Sequence, residues 1–241
     1  MGAQWKHAGR VANAAKRGAV FGKLVKEVQV AAKLGGPDPD GNFRLRTALE
    51  AARKASVPRD TIDRAIKKGA GIGEDAVQYE TIVFEGFAPH QVPLIVECLT
   101  DNRNRTSADI RVLFRKGQLG AQGAVAWMFD RMGVVEATHA DKTLDLESVA
   151  IEAGAQNVEP LEAEEVPAGQ VGARFIAEPT DLDAVSKFVA QSGWAVTQAE
   201  LSYLAKNPLD IEDAAKKKEV TDFLEAIDDN DDVHRVYVAL K

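Results

Sequence analysis

"IEDAAKKKEVTDFLEAIDDNDDVHRVYVAL", residues 211–240, reads as a helix followed by a strand, and where that strand pairs decides how the chain is arranged. Upstream, "YETIVFEGFA" (79–88) and "VPLIVECL" (92–99) have the period and composition of two strands, and "TDNRNRT" (100–106) leads into one helix. Thr106 and Asp109 have capping-box spacing, and Ile110, Leu113 and Phe114 form a buried stripe that ends at Gly117. Two strands and one helix make a poor sheet, so the tail is expected to return and complete it. What lies between is then an insertion: "GAVAWMFDRMGVVEA" (123–137), a helix in "LDLESVAIEAG" (144–154), strands near "NVEPLEA" (157–163) and "GARFIAEP" (172–179), a helix in "DLDAVSKFVAQSG" (181–193), and the strand "WAVTQAELSYL" (194–204). Such alternation indicates an α+β chain with helices covering sheets.

The first segment is helical. Phe21, Leu24, Val25, Val28 and Ala32 follow the spacing of an amphipathic helix over 12–34, with Lys16, Lys23, Lys26 and Lys33 close to the opposite face. "GGPDPDGN" (35–42) stops it, Gly35 being expected in the left-handed cap. Leu45, Ala48, Leu49 and Ala52 form a second stripe. Ser56 and Pro58 open a third helix, with Ile62, Ala65 and Ile66 inward and Gly69 past its end. Three such helices make a small bundle, and "GAGIGED" (69–75) reads as a linker. The expected domains are 1–77, 78–131 with 206–241, and 132–205.

Charge follows the same division. The 241-residue chain has a formal net charge of -7. Residues 1–77 hold 15 Lys and Arg against 8 Asp and Glu, residues 78–131 hold 6 against 6, and residues 132–241 hold 9 against 23. A basic front and an acidic remainder point to a polyanion met by the first segment. Nothing resembles a membrane span or a secretory signal, so a cytoplasmic protein is expected. Cys98 fits a buried strand position, and the sequon at Asn104 is without meaning in such a chain.

Catalysis and metals find little support. His7, His90, His139 and His234 are isolated in sequence, no nucleophile elbow occurs, and "DDNDD" (228–232) lacks the glycine and glutamate of a calcium loop. That run is expected to be a solvated acidic turn. No enzyme activity, cofactor, metal or small-molecule substrate is therefore expected.

Binding residues are easier to nominate. Trp5, Lys6, His7 and Arg10 set an aromatic ring among cations, suited to base stacking and phosphate contact; alternatively Trp5 folds back as an apolar anchor. Lys16, Lys23, Lys26 and Lys33 could track a phosphate backbone, or simply fill a polar helix face. Arg103 and Arg105 lie where a strand end meets a helix start, suited to phosphates; alternatively Asp101 and Asn102 cap local amides and pair with an arginine.

The segments "AKRGAVFGKLVKEVQVAAKLGGPDPDGNFRLRTALEAARKASVPRDTIDRAIKKGAG" (15–71), "FEGF" (84–87), "LTDNRNRT" (99–106) and "GAVAWMFDRMGVV" (123–135) together resemble the YebC/PmpR family, which includes the mitochondrial translational activator of cytochrome oxidase. The resemblance spans nearly the whole chain, with "PRDTIDRAIKKG" (58–69) and "TDNRNRT" its most specific pieces. It implies an N-terminal three-helix bundle followed by two α/β domains, the last ferredoxin-like and inserted in the middle one. Two departures stand out: the arm "GAQWKHAGR" keeps Trp5 and Lys6 but is altered around them, and "FAPHQV" (87–92) replaces a Gly-rich turn.

The resemblance implies a DNA-binding transcriptional regulator, with a translation factor on the ribosome and its ribosomal RNA as the alternative. A scaffold acting through the acidic domains would instead show no salt-dependent affinity for nucleic acid. In the expected arrangement the arm and bundle clamp a phosphate backbone while Arg103 and Arg105 contribute from the middle domain. Lys23, Lys26 and Lys33 are then replaceable by Gln without unfolding the bundle.

Overall fold

The computed structural model describes residues 14–72 and 79–241, with side chains for all of these but 14–19, Phe43 and Glu164. Residues 1–130 with 203–241 form one compact unit and residues 131–202 a second.

The bundle consists of α1 (Ala14–Gly35), α2 (Phe43–Lys54) and α3 (Arg59–Gly69). Their apolar stripes meet in a core of Val28, Ala31, Ala32, Leu45, Leu49, Ala52, Val57, Ile62 and Ala65, edged by Phe21, Leu24 and Val25. Asn42 joins two helix ends. Its Oδ1 accepts from the Leu45 amide at 3.1 Å, capping α2, while its Nδ2 donates to the Ala31 and Gly36 carbonyls at 2.7 and 2.8 Å. The carbonyls left open at the end of α1 are thereby satisfied. Gly36, with φ +87°, takes the left-handed cap expected of Gly35. Gly35 is small for a different reason: a Cβ there would sit 2.6 Å from Asn42 Cγ.

The first sheet has the order β3-β1-β2-β8, from β1 (Glu80–Ala88), β2 (Val92–Thr100), β3 (Gln118–Leu119) and β8 (Val233–Val238), all in antiparallel pairs. The tail strand β8 lies beside β2 and completes the sheet, as its sequence leads one to expect. Helices α4 (Arg103–Leu113) and α7 (Ala214–Asp228) cover one face, packing Ile110, Phe114, Phe223, Leu224 and Ile227 on Val92, Leu94, Val96 and Cys98. Phe114 and Phe223 meet edge to face at 5.5 Å. Val125, Phe129 and Tyr237 cover the other face around Ile95. With both faces covered, β2 is a continuous apolar run rather than an alternating one.

The second unit holds most of β4 (Phe129–His139), then α5 (Leu146–Ala153), β5 (Asn157–Pro160), β6 (Val171–Ala177), α6 (Leu182–Gln191) and most of β7 (Ala195–Ala205). The sheet order β5-β6-β4-β7 with this βαββαβ succession is ferredoxin-like. Phe175 and Trp194 anchor its core, rings edge to face at 5.6 Å.

Two sequence expectations need correction. Thr106 is not the cap of α4: Asn102 is, its Oδ1 accepting from the Arg105 amide at 3.1 Å, and Thr106 is buried a turn further on. A residue whose side chain finds a better partner in the fold need not serve the local motif it matches. At the β1–β2 turn, where Ala88 opposes Val92, His90 (φ 63°) and Gln91 (φ 59°) occupy left-handed backbone. That conformation costs a residue with a Cβ on the order of 1–2 kcal/mol. His90 is held there by a 2.9 Å contact from Nε2 to Glu219 Oε2 on α7. Gln91→Gly is expected to stabilise the first unit by about 1 kcal/mol, read as a higher urea midpoint with an unchanged slope.

Candidate nucleic-acid interface

Lys23, Lys26 and Glu27 are spaced by three and four residues, so they share one side of α1. That side faces the tail. Lys23 Nζ donates to the Asp228 backbone carbonyl and, at 3.2 Å, to its Oδ1. Lys26 Nζ donates to the Asp231 carbonyl at 2.7 Å and to Asp232 Oδ1 at 2.8 Å, and lies 5.8 Å from the centroid of the Tyr79 ring. Further along, Lys33 Nζ donates to the Tyr79 carbonyl at 3.2 Å. The expectation of a free cationic stripe is thus corrected for Lys23 and Lys26, which are mostly buried against the acidic turn.

Glu27 sits in the same interface, gripped by Arg44 through Nε at 2.7 Å and Nη2 at 3.1 Å. His234 Nε2 lies 3.0 Å from Glu27 Oε2, too far off line for a well-formed hydrogen bond. Burial alone would raise the Glu27 carboxyl, but contacts with His234 and Arg44 outweigh it and hold the group well below the usual carboxylate range.

Asp232 is the node. Its side chain is 6% exposed. Besides Lys26 it takes Arg105, whose Nη2 donates to Oδ2 at 2.9 Å and to Oδ1 at 3.1 Å, and the Thr106 hydroxyl, which donates at 2.8 Å. Burial pushes this carboxyl up, and hydrogen bonds from Lys26, Arg105 and Thr106 bring it below its ordinary value. The "DDNDD" run is therefore no solvated turn at this position. A local reading missed that because the lysines it meets lie 205 and 206 residues away in the chain.

In "TDNRNRT" the two arginines part company. Arg105 also pairs with Asp101 at 3.0 Å, while Arg103, 67% exposed, reaches only 3.8 Å from Glu80. The alternative of local caps and a paired arginine describes Arg105; Arg103 faces solvent. Trp5, Lys6, His7 and Arg10 lie outside the described residues, as does the Lys16 side chain.

Sequence reasoning passed over other cations that the fold leaves exposed. Arg53 and Lys54 end α2, the turn 55–58 follows, and Arg59, Arg64 and Lys67 line the outer side of α3. Arg59 is 92% exposed, with Asp63 at 3.9 Å. The available signal was the inward set Ile62, Ala65 and Ile66, which fixes the opposite face of α3 as solvent-facing.

"FEGF" supports a loop. Buried Glu85 accepts from the amides of Gly123, Val125 and Ala126 at 2.7, 2.9 and 2.8 Å. Burial raises its carboxyl and those three amides lower it further than that, leaving it below its ordinary value. Gly86 lets β3 approach, since a Cβ would collide with the Gln118 carbonyl oxygen and sit 2.6 Å from Phe114. The loop so held carries Trp127, 66% exposed, its indole donating to the Ala124 carbonyl at 3.2 Å. Cys98 is fully buried, its thiol pushed up to about 12 by burial and by Asp232 and Glu97. Among the described residues no cluster of three His, Cys, Asp or Glu could hold a metal, and no helix is long and apolar enough to cross a membrane.

Comparison with known proteins gives a consistent picture. Residues 2–72 match the family model described as the TACO1/YebC protein N-terminal domain, and residues 79–240 match that of the TACO1/YebC second and third domain. A "probable transcriptional regulatory protein" of Pseudomonas syringae pv. tomato is 53% identical over 100% of this chain and 99% of its own. One from Bdellovibrio bacteriovorus is 47% identical, with 100% of both chains covered. The crystal structure of a conserved hypothetical protein from Aquifex aeolicus superposes with a TM-score of 0.82 at 37% identity, covering 99% of this chain and 96% of that one.

The acid response follows from these carboxylates. Asp232, Glu27 and Glu85 all titrate lower folded than unfolded, so the unfolded chain binds more protons in acid. Their stabilisation is complete above the ordinary carboxylate pKa of about 4 and is lost as pH falls through the lower folded values. Urea unfolding of the first unit should hold steady from pH 7 to 5 and weaken below. Asp232→Asn should cost about 3 kcal/mol at pH 7 and flatten that acid limb.

Proposed function

Because the chain belongs to the TACO1/YebC family, we propose that it is a non-enzymatic, nucleic-acid-binding regulator of gene expression, acting on DNA in the cytoplasm. The observation that carries this reading is the exposed cation set Arg53, Lys54, Arg59, Arg64 and Lys67 around the α2–α3 turn, on a segment carrying 15 Lys and Arg against 8 Asp and Glu. Guanidinium forks and ammonium groups at this corner suit phosphate oxygens. Two helices joined by four residues can also lay the second against a groove while the first crosses the backbone. Lys33 and Arg103 extend the cationic surface, and the arm with Trp5, Lys6, His7 and Arg10 would add stacking and charge. Relatives named for transcriptional regulation support the regulatory half of the proposal.

A second reading, binding to ribosomal RNA as a translation factor, is favoured by one detail. Asp60 and Asp63 share the outer face of α3 with the cations, and Arg59 faces Asp63. Carboxylates among the cations suit contact with a folded RNA surface better than insertion into a phosphate-walled groove.

Fluorescence anisotropy against salt separates the possibilities, using a 20-base-pair duplex DNA and a ribosomal RNA hairpin. The triple variant Arg53→Gln, Lys54→Gln, Arg59→Gln should keep its helical circular dichroism and flatten log affinity against log salt by about 0.9 per lost contact on duplex DNA. A preference for the hairpin would move the protein to translation. Slopes near zero with both probes would sink nucleic-acid binding altogether.

A further inference from the structure

Two independent apolar systems occupy the first unit. The bundle's core is built from residues 21–66, whereas the sheet's cores draw on residues 84–129 and 203–240. What spans them is ionic: Lys23 to Asp228, Lys26 to Asp231 and Asp232, and Glu27 to His234. Arg105 shares the Asp232 carboxylate with Lys26 from the sheet side, so one buried acid neutralises a cation from each body. A carboxylate and a phosphate diester each present one negative charge on two acceptor oxygens. Asp228 and Asp232 thus stand where successive phosphates could.

We infer that the acidic turn 228–232 is an internal phosphate mimic that latches the bundle onto the sheet and blocks Lys23, Lys26 and Arg105 until a polyanion displaces it. The ligand half of this inference rests on the function proposed above; the latch itself rests only on the ion pairs and the separate cores. Ionic docking without a shared apolar core is readily exchanged, because a competing polyanion offers the same cations equivalent partners and gains counterion release. The docked form is then the low-affinity one, with apparent affinity reduced by the fraction of molecules that are open.

The test places donor and acceptor dyes on the full chain at Glu50→Cys, exposed on α2, and Glu225→Cys, exposed on α7. The native Cys98, buried with a thiol near 12, stays unlabelled. Single-molecule energy transfer should give one population at low salt. The double variant Asp228→Asn, Asp232→Asn should add a more distant one, and a 20-base-pair duplex DNA should shift the wild type the same way. The variant should bind that duplex about tenfold more tightly if the latch is closed in about nine molecules of ten. Asp228→Asn alone, at a half-buried helix end, gives a milder form of the same change should loss of Asp232 unfold the bundle. Duplex binding that leaves the distance unchanged, with no gain in the variants, would overturn the latch and spare the nucleic-acid reading. Variants that open while neither form binds DNA or RNA would remove that reading and retain an ionic latch without a polyanion ligand.

Discussion

A single buried carboxylate organises the first unit. Asp232 lies at the start of the last strand and gathers Lys26 from the bundle, Arg105 and Thr106 from the helix after β2, and the end of β2 itself through the Leu99 amide on its carbonyl at 2.8 Å. A charge so nearly enclosed is tolerated only when its oxygens are fully partnered, and removing one partner leaves a buried, uncompensated charge. That requirement ties the tail, the bundle and the middle helix to one geometry. The arrangement also accounts for a basic first helix in an acidic protein: part of its charge is spent on the chain's own acids.

Two motifs that invite a functional reading prove to be largely architectural. In "TDNRNRT" Asn102 caps α4, Asp101 steadies Arg105, and Arg105 turns inward to Asp232, which leaves Arg103 as the outward-facing cation. In "FEGF" Glu85 gathers three amides of the 123–126 loop and Gly86 admits the edge strand. Both create rigid mounts, one for Arg103 and one for the exposed ring of Trp127. Rigid mounting matters for recognition because a side chain already held in place loses little entropy on binding.

Charge is divided by unit as well as by sequence. In the ferredoxin-like unit Arg174 is buried between Glu136 at 2.8 Å and Glu159 at 3.5 Å, so a cation there serves carboxylates of its own unit. The exposed cations useful to a partner lie instead on the bundle, around the α2–α3 turn, and on the helix after β2. An acidic body carrying a basic corner confines attraction for a polyanion to that corner and limits indiscriminate adhesion elsewhere.

Local periodicity was sufficient, from the sequence alone, for the three-helix bundle, for the strand pair at 80–100, for the βαββαβ insertion and for the return of the tail. Each depends on residues within a turn or two of one another, or on a sheet that needed another strand. The overall charge asymmetry was equally legible. Pairing between distant segments was not. Lys23 and Lys26 look identical to solvent-facing lysines until the fold brings Asp228 and Asp232 against them, and Thr106 matches a cap until Asp232 claims its hydroxyl. Helix period determines which side of α1 carries the lysines, but the partner that side meets is set by the docking of residues some two hundred positions away, which no local pattern encodes.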